Sequence, residues 1–215
     1  MGMALREDQI LRYSRQILLR EVGGRGQEAL LAGRVRVDGI GAAGLTAAAY
    51  LAGGGTPVAG AGSLTLGPWA PGFLMSASDV GLPVTEALAR EVPALNPDAE
   101  PVGQGGGLVA ELPAAWSGDA PWVALGGDGV RAAVVFRSAE GCLWCFGETV
   151  RQLGSPPDGA LGVAVGTLGA LVFQRLRLGL GPSFGGRWLA APGLVEDMAP
   201  PRCSRCASRE DPAAP

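Results

Sequence analysis

An α/β fold, with a mostly parallel sheet covered by helices on both faces, is predicted by three observations. Short apolar segments of strand length alternate with segments of helical periodicity along most of the chain, the order that builds parallel sheets. An alternating segment, Arg34-Val35-Arg36-Val37, runs directly into Gly39-Ile40-Gly41-Ala42-Ala43-Gly44 and then into an alanine-rich stretch. Strand, glycine turn and helix in that order let the backbone approach phosphate oxygens closely while the first amides of the helix point at the anion. The chain has 215 residues, enough for one good-sized core and crowded for two.

The first element is a helix over residues 7–20, with apolar positions at Ile10, Leu11, Ile17 and Leu18. A glycine-rich break at residues 23–26 separates it from a short helix over 27–32. The strand at 34–37 and the helix at 45–52 then flank the glycine turn, giving a Rossmann-like unit. Ser63-Leu64-Thr65-Leu66 reads as the second strand, ended by Pro68, Pro71 and Gly72. A helix over 84–92 and a third strand near Val102 follow, the register of that strand left open by Gly103 to Gly107. Trp122-Val123-Ala124-Leu125 is the next strand, ending at Gly126-Gly127-Asp128, and residues 131–136 form another. Residues 160–180 are the most apolar stretch, but Gln174, Arg175, Arg177 and interspersed glycines make it a buried helix rather than a membrane span.

The chain contains four cysteines. They form two pairs, Cys142-Leu143-Trp144-Cys145 and Cys203-Ser204-Arg205-Cys206, and each spacing suits two thiolates on one tetrahedral zinc. Such a site is a structural staple that leaves no open position for water activation and no thiol for a thioester or persulfide. Two unrelated pairs, or disulfides in an exported protein, are the alternative, but residues 1–7 lack the apolar core of a signal peptide. A cytoplasmic protein is therefore expected. The organisation is one domain over 1–206, with an N-terminal helical arm at 1–33, a Rossmann-like core at 34–136 and a zinc-bound C-terminal part at 137–206. A disordered tail at 207–215 completes it.

Net charge is -3 and the arginines are scattered, so neither a nucleic-acid nor a membrane partner is expected. Every basic residue is arginine; lysine and histidine are absent. Histidine general bases, Schiff-base lysines and lysine phosphate clamps are thereby excluded.

The order of Arg12-Tyr13-Ser14-Arg15-Gln16-Ile17, Gly26-Gln27-Glu28-Ala29-Leu30 and Gly39-x-Gly41-x-x-Gly44 resembles the opening of the ThiF/MoeB/HesA family of ubiquitin-activating-like adenylyltransferases. The likeness continues at Asp79-Val80-Gly81-x-Pro83 and Leu95-Asn96-Pro97, and both cysteine pairs sit where that family has them. The resemblance implies ATP and magnesium on a Rossmann-like sheet and adenylation of the C-terminal glycine of a ubiquitin-like sulfur carrier, used in thiamin or molybdenum-cofactor sulfur transfer. It also implies a homodimer, or a heterodimer with a related subunit, in which Arg15 reaches the partner's nucleotide site. By the same resemblance, Gly39, Gly41 and Gly44 line the phosphates and Asp128 stands at their metal end. The residues also admit other readings: a turn kept for packing, a surface ion pair at Arg15, and a turn or helix-cap role for Asp128.

Departures from the family pattern cluster at the nucleotide. The acid that holds the ribose hydroxyls falls on Pro68, which has no acceptor side chain. The position of the phosphate lysine is Val84, and no arginine lies between Arg36 and Arg90 to supply the phosphate arginine. Each lost charge-assisted contact costs about 1.5 to 3 kcal/mol, and adenylyl transfer depends mainly on positioned positive charge. The expected function is a weakly catalytic or non-catalytic binding partner of a sulfur carrier or related subunit. The alternative is an active adenylyltransferase whose missing groups come from a partner or from Arg131 or Arg137. A dinucleotide oxidoreductase would need the same ribose acid.

Overall fold

The computed structural model describes residues 4–70, 74–101, 106–111, 116, 120–190, 194–198, 203 and 206. Strand β1 (Val35–Asp38) alternates Val35 and Val37, both buried, with the half-buried Arg36 and Asp38. It pairs in parallel with β2 (Val58–Gly60) on one side and β3 (Gly107–Glu111) on the other, and β3 pairs in parallel with β4 (Trp122–Gly127). An antiparallel meander of β5 (Ala132–Arg137), β6 (Phe184–Ala190) and β7 (Leu194–Met198) extends the sheet, giving the order β2-β1-β3-β4-β5-β6-β7. Among the described strands only β5 and β7 run against the rest. Strand β4 is buried along its whole length, as strands covered on both faces are.

The helices are α1 (Glu7–Arg12), α2 (Ser14–Ile17), α3 (Gly23–Leu31), α4 (Ala42–Gly53), α5 (Val84–Leu95), α6 (Leu143–Arg151) and α7 (Gly159–Arg177). Helices α4 and α7 cross through small residues: a Cβ on Gly166 would strike the Ala43 carbonyl oxygen, and one on Gly162 would lie 3.0 Å from the Ala42 Cβ. By length and hydropathy α7 could cross a membrane. Here it packs on the sheet with Val165, Ala170 and Phe173 buried in the core.

Several sequence expectations shift for physical reasons. The helix over 7–20 breaks at Tyr13, whose side chain turns into the core; its hydroxyl accepts from Asn96 Nδ2 at 2.9 Å and donates to Asp98 Oδ2 at 3.1 Å. Asn96 also donates to the Ala52 carbonyl at 2.7 Å, so the Arg12-Tyr13 and Leu95-Asn96-Pro97 motifs clasp the arm to the last turn of α4. Burial pushes the Asp98 carboxyl upward, but the hydrogen bonds from Arg6, Gln9 and Tyr13 outweigh it and hold the pKa below the ordinary value. Helix α3 begins inside the expected glycine break, at Gly23 with φ of 58°.

The second strand is Val58–Gly60 rather than 63–66. Position 60 has to be small because a Cβ there would lie 2.6 Å from the Thr85 Cα of α5. Residues 63–65 are exposed, and Thr65 makes only an isolated bridge to Pro83. Val102 and residues 207–215 lie outside the described residues, and β3 begins at Gly107. Helix α6 and strands β6 and β7, none of them foreseen from sequence, complete the C-terminal part.

Candidate functional site

Ligands of open α/β sheets bind at the carboxyl ends of the parallel strands, and the glycine turn lies there. Gly41 is the residue preceding α4, in extended conformation, and α4 begins at Ala42. The turn is closely packed. A Cβ on Gly44 would come within 2.9 Å of the Gly39 Cα, so the third glycine lets the helix sit on the turn. The first two serve a different neighbour. A Cβ on Gly39 would lie 2.8 Å from the Glu111 Cδ, and one on Gly41 would lie 2.9 Å from Glu111 Oε1.

Glu111, the last residue of β3, lays its carboxylate across the turn. Oε2 accepts from the Ile40 amide at 3.1 Å and the Gly41 amide at 3.0 Å, and Oε1 accepts from the Gly44 amide at 2.6 Å. Burial raises the pKa of this carboxyl above its ordinary value against the pull of the three amides, and Asp158 adds a smaller upward push. Sequence reasoning passed over Glu111. Its signal is an acidic residue closing the apolar run Leu108-Val109-Ala110, hence at the carboxyl end of a central strand; the glycines before it obscured that register.

Beside the turn is a cavity of about 380 Å³ whose lining includes Ile40, Gly41, Leu45, Trp69, Asp158 and Val163. Among the described residues no arginine lines it. Pro68 is exposed, next to the rim residue Trp69. Asp38, at the end of β1, turns its carboxylate toward Gly62, and burial raises its pKa despite Arg36. Among the described residues, phosphates of ATP would meet the seated Glu111 carboxylate and Asp158, with no lining cation. The described residues do not fit a nucleoside triphosphate.

The other anticipated groups are dispersed. Arg15 is exposed on α2, and the arm that carries it docks at the end of α4 away from the turn. That helix has 12 residues, a length of about 18 Å, so Arg15 does not reach this chain's own turn. Asp128 is exposed at the β4–β5 hairpin. Its carboxylate accepts from the amides of Val130 at 3.1 Å and Arg131 at 2.7 Å and pairs with the Arg131 guanidinium at 2.8 Å. The Arg131 amide and guanidinium, with the Val130 amide, bring its pKa down to about 2. Arg131 also stacks over Trp188 at 4.2 Å, and Arg137 stacks over Trp122 at 4.6 Å. Both arginines are engaged on the antiparallel half of the sheet.

The four cysteines come together. Cys142 precedes α6, Cys145 lies in its first turn, and Cys203 and Cys206 approach from the C-terminal segment. The Cys142–Cys203 and Cys145–Cys206 sulfurs are each 3.7 Å apart, and all four lie within 4.8 Å of one another. Sulfurs at about 2.3 Å from a tetrahedral zinc stand about 3.8 Å apart, whereas a disulfide needs about 2.05 Å. The donor set and spacing thus fit a tetrahedral metal ion. Cys142, Cys145, Cys203 and Cys206 would hold it, and it would tie the C-terminal segment to α6 with no coordination position open.

No family model matches the chain. Over 62 residues it is 50% identical to the molybdopterin-synthase adenylyltransferase of Salmonella typhimurium, covering 29% of this chain and 23% of that protein. Over 93 residues it is 34% identical to the sulfur carrier protein ThiS adenylyltransferase of Escherichia coli, covering 42% of this chain and 37% of that one. The chain therefore matches less than half the length of either relative. Among solved structures, E. coli MccB with ATP superposes with a TM-score of 0.69 at 16% identity, covering 91% of this chain and 73% of MccB. PaaA superposes with a TM-score of 0.68, also at 16% identity, covering 92% of this chain and 85% of PaaA. At that identity the structural likenesses speak for the α/β fold alone, while the sequence matches make part of this chain similar to the molybdopterin-synthase and ThiS adenylyltransferases.

Proposed function

We propose that this chain is a family member that no longer loads ATP by itself and acts as a binding or scaffold partner for a ubiquitin-like sulfur carrier or a related subunit. The observation that carries this reading is the Glu111 carboxylate held by the Ile40, Gly41 and Gly44 amides. A triphosphate bound there would need those amides for itself. Among the described residues the cavity beside the turn has no compensating cation, and phosphoryl and adenylyl transfer rely on positioned positive charge. Zinc on the four cysteines would serve structure rather than chemistry.

Arg15 supports a second reading. It is exposed on the arm, and among the described residues no ion pair engages it. A dimer, with a second copy or a related subunit, would let it complete another chain's nucleotide site, leaving this chain an activator of an adenylyltransferase. Calorimetric titration of magnesium-ATP into zinc-loaded protein tests the main reading. No binding at millimolar nucleotide is expected. Micromolar binding lost in Arg15→Ala would overturn the main reading and put a site completed across a dimer in its place.

A further inference from the structure

We infer that Glu111 is the resident anion of the glycine turn, a carboxylate built into the chain that holds the place a phosphate would take. This deepens, and rests on, the reading of the chain as one that does not load nucleotide.

The geometry is that of a bound anion. Both carboxylate oxygens are used, Oε2 by two amides and Oε1 by a third, at 2.6 to 3.1 Å. These are the donors that a Rossmann-like turn offers to a phosphate. A carboxylate and a phosphate oxygen make the same demand of such amides, namely negative charge near the positive end of the helix. The fit is close on all sides, since a Cβ on Gly39 or Gly41 would approach Glu111 within 3 Å. The glycine signature is thus retained around a side chain of the protein itself.

Backbone pairing fixes the carboxylate there. Glu111 pairs with Leu125 of β4, and the preceding Ala110 with Asp38 of β1, so the residue projects from the middle of the sheet. A group anchored this way is present at an effective concentration of millimolar or above. A free phosphate would have to displace it and then sit near Asp158, the one ionisable residue among the described residues lining the neighbouring cavity. The chemical class excluded is therefore phosphate in any form, as the free ion, as pyrophosphate or on a nucleotide.

The test is thermal unfolding of zinc-loaded wild type and Glu111→Ala, each titrated with inorganic phosphate and pyrophosphate. Glu111→Ala is expected to unfold at lower temperature and to be stabilised by either anion, half-maximally at a concentration at least about tenfold below any effect on wild type. An absence of anion-dependent stabilisation in Glu111→Ala, or an equal response in wild type, would overturn the inference. Should Glu111→Ala fail to fold, Glu111→Gln keeps the shape without the charge. The amide resonances of Ile40, Gly41 and Gly44 are then expected to shift, and unchanged resonances would refute the contact. A negative result here leaves the proposed function standing, because that reading is decided by ATP binding to wild type.

Discussion

Replacing Cys145 with serine is expected to reduce zinc from one per chain to a small fraction and to lower the unfolding midpoint by about 10 °C. Cys145 is buried, its sulfur sits 3.7 Å from that of Cys206, and it accepts the Cys203 amide 58 positions away at 3.4 Å. A crosslink closing a loop of that length restricts the unfolded chain by on the order of 4 kcal/mol. A metal that binds only the folded arrangement adds its binding free energy to folding. Elemental analysis together with calorimetric unfolding checks both parts. Full zinc retention in Cys145→Ser would sink the four-thiolate site, and a zinc-free protein with unchanged stability would sink its role as a staple.

The second large effect is expected at the crossing of α4 and α7. Gly166→Val should destabilise the chain by about 3 kcal/mol, because its Cβ would collide with the Ala43 carbonyl and would lie 3.0 Å from the Thr46 Cβ. The obstacle is helix backbone, which cannot move aside as a flexible side chain can. Relief requires α4 to shift, and α4 carries at its start the turn that holds Glu111. Urea unfolding is expected to show the loss in stability, with movement of the Gly41 and Gly44 amide resonances in the folded state. A variant as stable as wild type would contradict the close crossing.

The elements that were legible in the sequence have one dominant local signal. Arg34 to Gly44 combined alternation, glycine spacing and an alanine-rich helix, and the structure places β1, the turn and α4 there within a few residues. The cysteine spacing likewise announced a cluster that the fold assembles. The second strand was misread because Ser63-Leu64-Thr65-Leu66 has the period of a strand, whereas Val58–Gly60 earns its place by tertiary fit: only a glycine lets α5 come so near. Strands β6 and β7 escaped because glycines interrupt Phe184–Ala190 and because β7 is mostly exposed, so neither shows an apolar alternation. At the site, the family resemblance pointed to positions without the expected groups, such as Val84 for the lysine and Pro68 for the ribose acid. It could not show Glu111 against the turn, since that contact joins residues 67 to 71 positions apart.

The two arginines suggested from sequence as substitutes for the missing charges illustrate the same limit. Arg131 and Arg137 look available as residues on a list of cations, yet in the fold each lies over a tryptophan ring. A guanidinium so placed gains cation–π attraction and packing that it would forfeit on moving to a phosphate. Among the described residues, the lack of cations around the turn is therefore a property of the packed structure as well as of composition.

The proposed function holds that this chain does not activate a carrier by itself. Its most direct test is exchange of labelled pyrophosphate into ATP by the zinc-loaded protein, supplied with magnesium and a ubiquitin-like carrier ending in Gly-Gly. The account predicts no exchange above a carrier-free control, because adenylate formation needs the phosphates that Glu111 keeps out. Carrier-dependent exchange by the protein alone would contradict it and would make this chain an adenylyltransferase.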